Sequence, residues 1–384
     1  VKHYRNLQLW DGISDALRSA ELLVAEGKFA DGGAGDAETE DLQGCVVIPG
    51  LIDAHIHLCL DPDVRDPLAH GRLAAEEQLA AMRVRAEGML LAGITTARDL
   101  GGGAWLELQV RDEIARGEHP GPRLLCAGQP ITSVGGHCHF WQGEAADLPE
   151  AMEVLQRQCE HGTDLIKIMV TGGNITPGSK PVDSQFDDDL VSGVVAAAAA
   201  RDLTVAAHCH GTNGIRQAAA AGVRTVEHCS WVGEAGWGRA LDERVVATLA
   251  QNDVYVSPTI NAGWKRYRNE EFVSLVQRNY RHMKQAGVKL IASTDAGIPG
   301  VYHRDLPRAL PEFARFAGLS PVEVLKSATS VCAAAIGIGE VAGTIAPGYS
   351  ADFVVYEKNP LEDLAVLENP LLVVSRGREF DTAA

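Results

Sequence analysis

The sequence predicts an α/β chain: a (β/α)8 TIM barrel with a small β-sandwich built from the two chain ends. Three observations predict it. From residue 51 onward, apolar or β-branched stretches alternate with segments of helical periodicity, an order that implies right-handed parallel crossovers. Before residue 51 and beyond residue 340, strand-like stretches dominate. No Gly-rich phosphate loop follows the first strand of the repeat, as an open doubly wound sheet would usually require.

Residues 1–50 are expected to form the first half of the sandwich. Leu7–Trp10 and Leu22–Ala25 read as strands separated by Asp11-Gly12, and Glu26-Gly27-Lys28 has hairpin chemistry. The Gly- and Asp-rich stretch from Ala30 to Glu40 reads as a loop, and Cys45–Ile48 as a strand ending at Pro49-Gly50. Barrel strands are expected at 51–58, 94–99, 123–131, 165–170, 204–209, 225–229, 254–260 and 288–294. Helices are expected between them at Leu73–Leu91, Leu148–Cys159, Asp188–Ala200 and Val273–Gln285, among others. From His55 to Asp295 the spacing is about 34 residues per strand–helix unit, close to a (β/α)8 repeat. The barrel is thus assigned to 51–340. Residues 341–384, with strands at 351–356 and 371–378, complete the sandwich.

At 384 residues the chain is long enough for one large domain plus a smaller one. Its net charge of −17 argues against nucleic acid or an anionic membrane as partner. No run is long and apolar enough to span a bilayer. Val1–Asn6 lacks the pattern of a secretory signal, although the absence of an initial Met leaves a removed leader open. The eight cysteines form no C-x-x-C pair and no zinc-finger spacing, so reduced, mostly buried thiols are expected. Cys209 and Cys229 should face packing. A cytoplasmic location, a small-molecule substrate and a homo-oligomer are the accompanying expectations.

The chemistry is expected at the C-terminal ends of the barrel strands. In Pro49–Leu58, strand alternation points His55 and His57 the same way, with Asp53 one step earlier on that face. Two imidazoles one pleat apart can hold a metal ion, but a lone H-x-H is weak evidence; buried strand histidines are the plainer reading. Lys167 sits inside the apolar run Leu165–Val170, where an unpaired ammonium is costly. Either it pairs with a nearby acid, or it is carboxylated by CO2 to an anionic carbamate able to bridge two cations. Strand five ends in His208-Cys209-His210, strand six in Glu227-His228-Cys229 and strand eight in Thr294-Asp295. This is nitrogen and oxygen ligation suited to Zn2+ and tolerant of other divalent metals.

Pro49–His57 with Lys167, His208, His228 and Asp295 resembles the amidohydrolase superfamily, and the closing stretch Gly343–Asp352 extends the resemblance over nearly the whole chain. By that resemblance two divalent metals, Zn2+ foremost, are implied. His55, His57 and Asp295 would hold one and His208 and His228 the other, with carboxylated Lys167 and a hydroxide between them. His210 falls to the substrate side or to packing. Within the superfamily the chain is most similar to the imidazolonepropionase-like and Xaa-Pro dipeptidase-like group, through Ile166–Gly173 and Ile131–His139.

The loop histidine of the dipeptidase-like members matches His137, with His139 beside it; the plainer reading is a Gly-rich surface loop with incidental histidines. Trp231 stands where those members usually have Tyr. Lacking a phenolic hydroxyl, it leaves room for an aromatic or bulkier amide. The implied reaction is hydrolysis of a small amide, a dipeptide or N-acyl amino acid, by the metal-bridged hydroxide. Asp295 would move the proton to the leaving amine and His137 would donate to the oxyanion. Lactones, carbamates and cyclic amides are alternatives on the same site. A mononuclear deaminase would not need a carboxylated lysine, and a non-catalytic relative would typically have lost ligands.

Overall fold

Leu51–Ile56 is a strand in which every residue is buried, so both of its faces are covered. The computed structural model describes residues 1–33 and 35–382. Ala34, within the expected 30–40 loop, and Ala383 and Ala384, at the end of the expected C-terminal half, lie outside the described residues. The chain is a mixed α/β protein. Parallel strands run in chain order in two groups. The first holds Leu51–Ile56, Ile94–Asp99 and Arg123–Cys126. The second holds Ile166–Met169, Val205–Gly211, Thr225–Val232 and Tyr255–Ser257.

Single backbone links join the two groups. Ile131 donates to Lys167 O (2.9 Å) and accepts from Met169 N (2.8 Å). At the other side Val256 exchanges bonds with Lys289 and Ile291, Asp295 N donates to His55 O (2.8 Å), and His57 N donates to Ala296 O (2.8 Å). The expected third strand, 123–131, therefore stops at Cys126, because Gly128 turns left-handed (φ +69°) ahead of Pro130. The expected eighth strand, 288–294, forms no continuous ladder. Its backbone groups divide among Val256, Ser327, the Asp53 carboxylate and the first strand.

The helices follow their apolar periodicity, with ends set by caps. Leu148–His161 starts after Asp147, which accepts from Glu150 N, and stops at Gly162 (φ +71°). The helix expected from Val273 begins earlier, at Glu270, because Asn269 caps it through Phe272 N (3.0 Å). A polar cap carries no hydrophobic period, so periodicity alone misses it.

The chain ends share one eight-stranded sheet. Val46–Pro49 pairs parallel with Lys2–Leu9 and antiparallel with Phe353–Tyr356, which continues to Leu372–Ser375 and Arg378–Asp381. Two details differ from expectation. The 30–40 stretch ends in a strand, Glu38–Asp41, held against Lys2–Leu9 partly by the Lys2–Glu40 and Arg5–Asp41 ion pairs (2.8 and 3.3 Å). Its partner is distant in sequence and it has no apolar alternation. The 371–378 stretch is a hairpin, turned at Arg376 and Gly377, both at positive φ as a type I′ turn requires. Tyr4, Leu9, Phe29, Phe353 and Val374 belong to the separate core of this sheet.

Gly50 is where the end sheet meets the first buried strand: its N–H bonds to Asp352 O (3.0 Å). A Cβ there would lie 2.0 Å from Thr95 Oγ1, on a buried β-branched side chain with little freedom to move. Gly50→Ala is therefore expected to destabilise by about 1–3 kcal/mol through overpacking. In a Thr95→Gly background, which removes the Cβ as well (2.7 Å), the same change should cost much less. Denaturant unfolding of the four proteins tests this, and equal costs in both backgrounds would refute the contact.

Candidate active site

His55 and His57 stand at the end of the first strand with Nε2 atoms 3.3 Å apart. Asp295 Oδ1 lies 3.3 Å from the first and 3.4 Å from the second. The ring protons can be placed from the other nitrogens. His55 Nδ1 donates to Glu227 Oε2 (2.9 Å) and His57 Nδ1 to the carbonyl of Gly101 (2.9 Å). With those protons on Nδ1, the neutral rings present two Nε2 lone pairs and a carboxylate oxygen to one another. Three acceptors converging at this distance fit a cation between them.

His208, His210 and His228 form a second group, and His55, His228 and Asp295 a third that overlaps it. His208 Nε2 donates to Gly172 O (3.1 Å), leaving Nδ1 as its acceptor. His228 Nδ1 bonds Thr259 Oγ1 (2.8 Å). Burial, with like neighbours, pushes both rings well below the usual histidine range, so they are neutral donors of lone pairs. His210 stacks on His228 with centroids 4.5 Å apart, and its Nδ1 bonds Ser230 Oγ. It sits inside the histidine cluster rather than off in distant packing.

Lys167 is fully buried and its Nζ has no hydrogen-bond partner among the described residues. Among the described residues no carboxylate lies within ion-pairing distance of it. Desolvation lowers its pKa, and nearby Glu227 and Asp295 offset this only in part. An orphaned lysine nitrogen beside a cluster of metal-type donors fits conversion to a carbamate and a divalent metal pair.

His137 is buried, its Nδ1 has no partner among the described residues, and its ring lies 4.6 Å from that of His208. Burial and then Lys167 push its pKa down to about 4. The ring rests against Gly173, where a Cβ would come within 2.5 Å. The structure thus brings His137 to the cluster. His139, beside it in the chain, is half-buried and its ring meets that of Phe140. Trp231 is almost wholly buried beside a cavity. Cys209 and Cys229 are buried in the core, and all eight thiols are free.

A family model described as the amidohydrolase family matches residues 46–379. The chain belongs to the amidohydrolase family. This amidohydrolase is 26% identical to the ochratoxinase of Aspergillus niger, over 94% of this chain and 82% of that protein. It is 27% identical to an imidazolonepropionase of an Anaeromyxobacter species, over 91% and 85%. The solved structure of a Xaa-Pro dipeptidase with methionine in its active site matches with a TM-score of 0.85 at 26% identity, covering 99% of each chain. The protein is a hydrolase acting on carbon–nitrogen bonds.

The groups that hold the cluster residues in place were not singled out from sequence. Arg98 reaches Glu227 Oε1 (2.8 Å), and Glu227 in turn orients His55. Burial tends to raise the Glu227 carboxyl, but Arg98, His55 and Lys167 hold it well below the usual range. Glu227 and His228 are neighbours in one strand, so alternation should send them to opposite faces. His228 and Cys229 adopt positive φ (+67° and +50°), which breaks the alternation. Thr259, a β-branched residue at φ +53°, is a clear outlier. Its strain accompanies the bond to His228, while Ser293 Oγ accepts from its N–H (2.9 Å). Thr259→Val keeps the shape and loses the hydroxyl. Its divalent-metal affinity should fall about 10–100-fold, read by competition with a chromophoric chelator. An unchanged affinity would show that Thr259 does not orient a ligand.

Proposed function

We propose that this amidohydrolase cleaves the amide bond of a small molecule, a dipeptide or an N-acyl amino acid, at a binuclear metal centre. The observation that carries this reading is the convergence of His55, His57 and Asp295 acceptors 3.3–3.4 Å apart, beside a buried lysine nitrogen with no partner. The proposed architecture is a closed (β/α)8 barrel over 51–340, supported by backbone bonds from the 289–296 segment to both Val256 and the first strand. Residues 1–50 and 341–384 supply a β-sandwich, supported by their shared sheet and separate core.

In this reading His55, His57 and Asp295 would hold one divalent cation, with zinc suited to the nitrogen and oxygen donors, and His208 and His228 would hold the other. Lys167, as its carbamate, would supply anionic oxygen ligands. When bound, such cations acidify a water molecule and polarise a carbonyl oxygen. Asp295 keeps Oδ1 toward the two histidines, so Oδ2 takes the proton of the attacking water and returns it to the leaving nitrogen. Neutral His137 donates an N–H to the carbonyl oxygen as negative charge develops there. His210, fixed by Ser230, faces the substrate from the His228 side. The relatives named for ochratoxin and Xaa-Pro cleavage, and the Xaa-Pro dipeptidase structure that holds methionine in its active site, support an amide over a lactone or carbamate.

Elemental analysis of metal-loaded protein should give close to two divalent ions per chain, and a panel of dipeptides and N-acyl amino acids should be hydrolysed. One ion per chain at full activity would refute the binuclear centre. Lys167→Ala should lose metal and activity together, with partial recovery in a short carboxylic acid that stands in for the carbamate. Lys167→Arg should not recover, because the guanidinium stays charged. A Lys167→Arg protein with two metals and near-normal rates would end the carbamate reading. His137→Asn is expected to cut turnover by about 100-fold or more with metal content intact. Loss of metal in that variant would make His137 a ligand instead.

A further inference from the structure

Beside the histidine cluster lies a cavity of about 540 Å3, within the range that buries a small-molecule ligand. It borders the site along strand six: Cys229 and Ser230 line it, and Ser230 holds His210. Its walls are aromatic. Trp264 packs edge-on against Phe316 (4.9 Å) and Tyr267 (5.5 Å), which makes it a rigid face. Phe272, Val276 and Tyr280 follow one another at four-residue steps along the helix Glu270–Gln285, so a single stripe of that helix faces the cavity.

Trp237 joins cavity to cluster. Its indole meets the His210 ring edge-to-face at 4.9 Å, yet it remains 40% exposed. It stands between Gly236 (φ +102°) and Gly238 (φ +74°), two backbone conformations that side chains rarely adopt. The loop thus spends two glycines on presenting one large aromatic surface to solvent. The cation at the rim, Arg239, is already paired with Glu271 (2.6 Å), so the rim offers little net charge to a ligand. The cavity offers faces and edges of rings, which favour another ring in stacked or edge-on contact.

We infer that the cavity between Trp237 and Trp264 receives a flat, uncharged aromatic group of one or two rings, carried on one side of the amide that the centre cleaves. This specificity rests on the amide-hydrolase reading. It names the substrate class: aromatic acyl-amino acids or amides of aromatic amino acids, over small aliphatic dipeptides.

The test uses the full-length metal-loaded enzyme. N-(2-naphthoyl)-L-alanine and N-acetyl-3-(2-naphthyl)-L-alanine are compared with N-acetyl-L-alanine. At least one naphthyl substrate should exceed the acetyl compound in kcat/KM by about tenfold or more. Trp237→Ala should reduce that ratio by about tenfold, mainly through KM, and Trp237→Phe should keep most of it. Independently of turnover, 2-naphthoate binding is read by calorimetry. Its affinity should fall about tenfold in Trp237→Ala, a change at an exposed, loop-borne side chain. Hydrolysis without aromatic preference, together with equal naphthoate affinity in wild type and Trp237→Ala, overturns the inference and leaves the hydrolase reading standing. If no amide in the panel is cleaved, the proposed amide-cleavage reading fails. Tryptophan-dependent naphthoate binding would still uphold the cavity as an aromatic site in that case.

Discussion

Three electron-pair acceptors face one another at the end of the first strand, and much of the site is arranged to keep them there. His55 Nε2, His57 Nε2 and Asp295 Oδ1 lie 3.3–3.4 Å apart in a buried setting. Their lone pairs repel, and little water is present to screen them. Such a geometry holds only if each group is anchored from behind. His55 is anchored by Glu227, His57 by Gly101 O, and Asp295 by its backbone bond to His55 O. The anchoring bonds also choose the tautomer, since an acceptor behind Nδ1 forces the lone pair forward at Nε2.

The anchor behind His55 is itself a buried ion pair. Arg98 spends its guanidinium on Ala54 O, Thr225 Oγ1 and Glu227 Oε1, so none of its contacts is left to solvent. Buried pairs of this kind are weak as sources of stability but costly to break from one side. Their value here is positional. The pair ties the first, second and sixth strands together beneath the cluster, and a shift in any of them would move a histidine.

The polar cluster and the aromatic cavity meet along strand six. His228 faces the cluster, while Cys229, Ser230 and Trp231 line the cavity. The strand serves both because its backbone leaves the extended region at His228, Cys229 and Trp231, all at positive φ. Strain of that kind is retained where the surrounding structure over-determines it. Here Thr259, also strained, holds His228 through its hydroxyl.

Local residue types determined much of this protein. Hydrophobic alternation and helical period placed most strands and helices, because those patterns report burial one element at a time. The histidines, Lys167 and Asp295 were legible as candidates because polar side chains at apolar strand ends ask for a reason, and the family resemblance supplied one. Other features depended on partners distant in the chain. The Glu38–Asp41 strand exists through pairing with Lys2–Arg5, and the 288–294 segment lacks a ladder because its N–H and C=O groups are shared among several elements. The Arg98–Glu227–His55 relay and the Thr259 contact join residues up to 172 positions apart. The aromatic cavity gathers Trp237, Trp264 and Tyr280 from three separate elements. No local pattern encodes these meetings; only the closing of the chain on itself decides which side chains come within a few ångströms of one another.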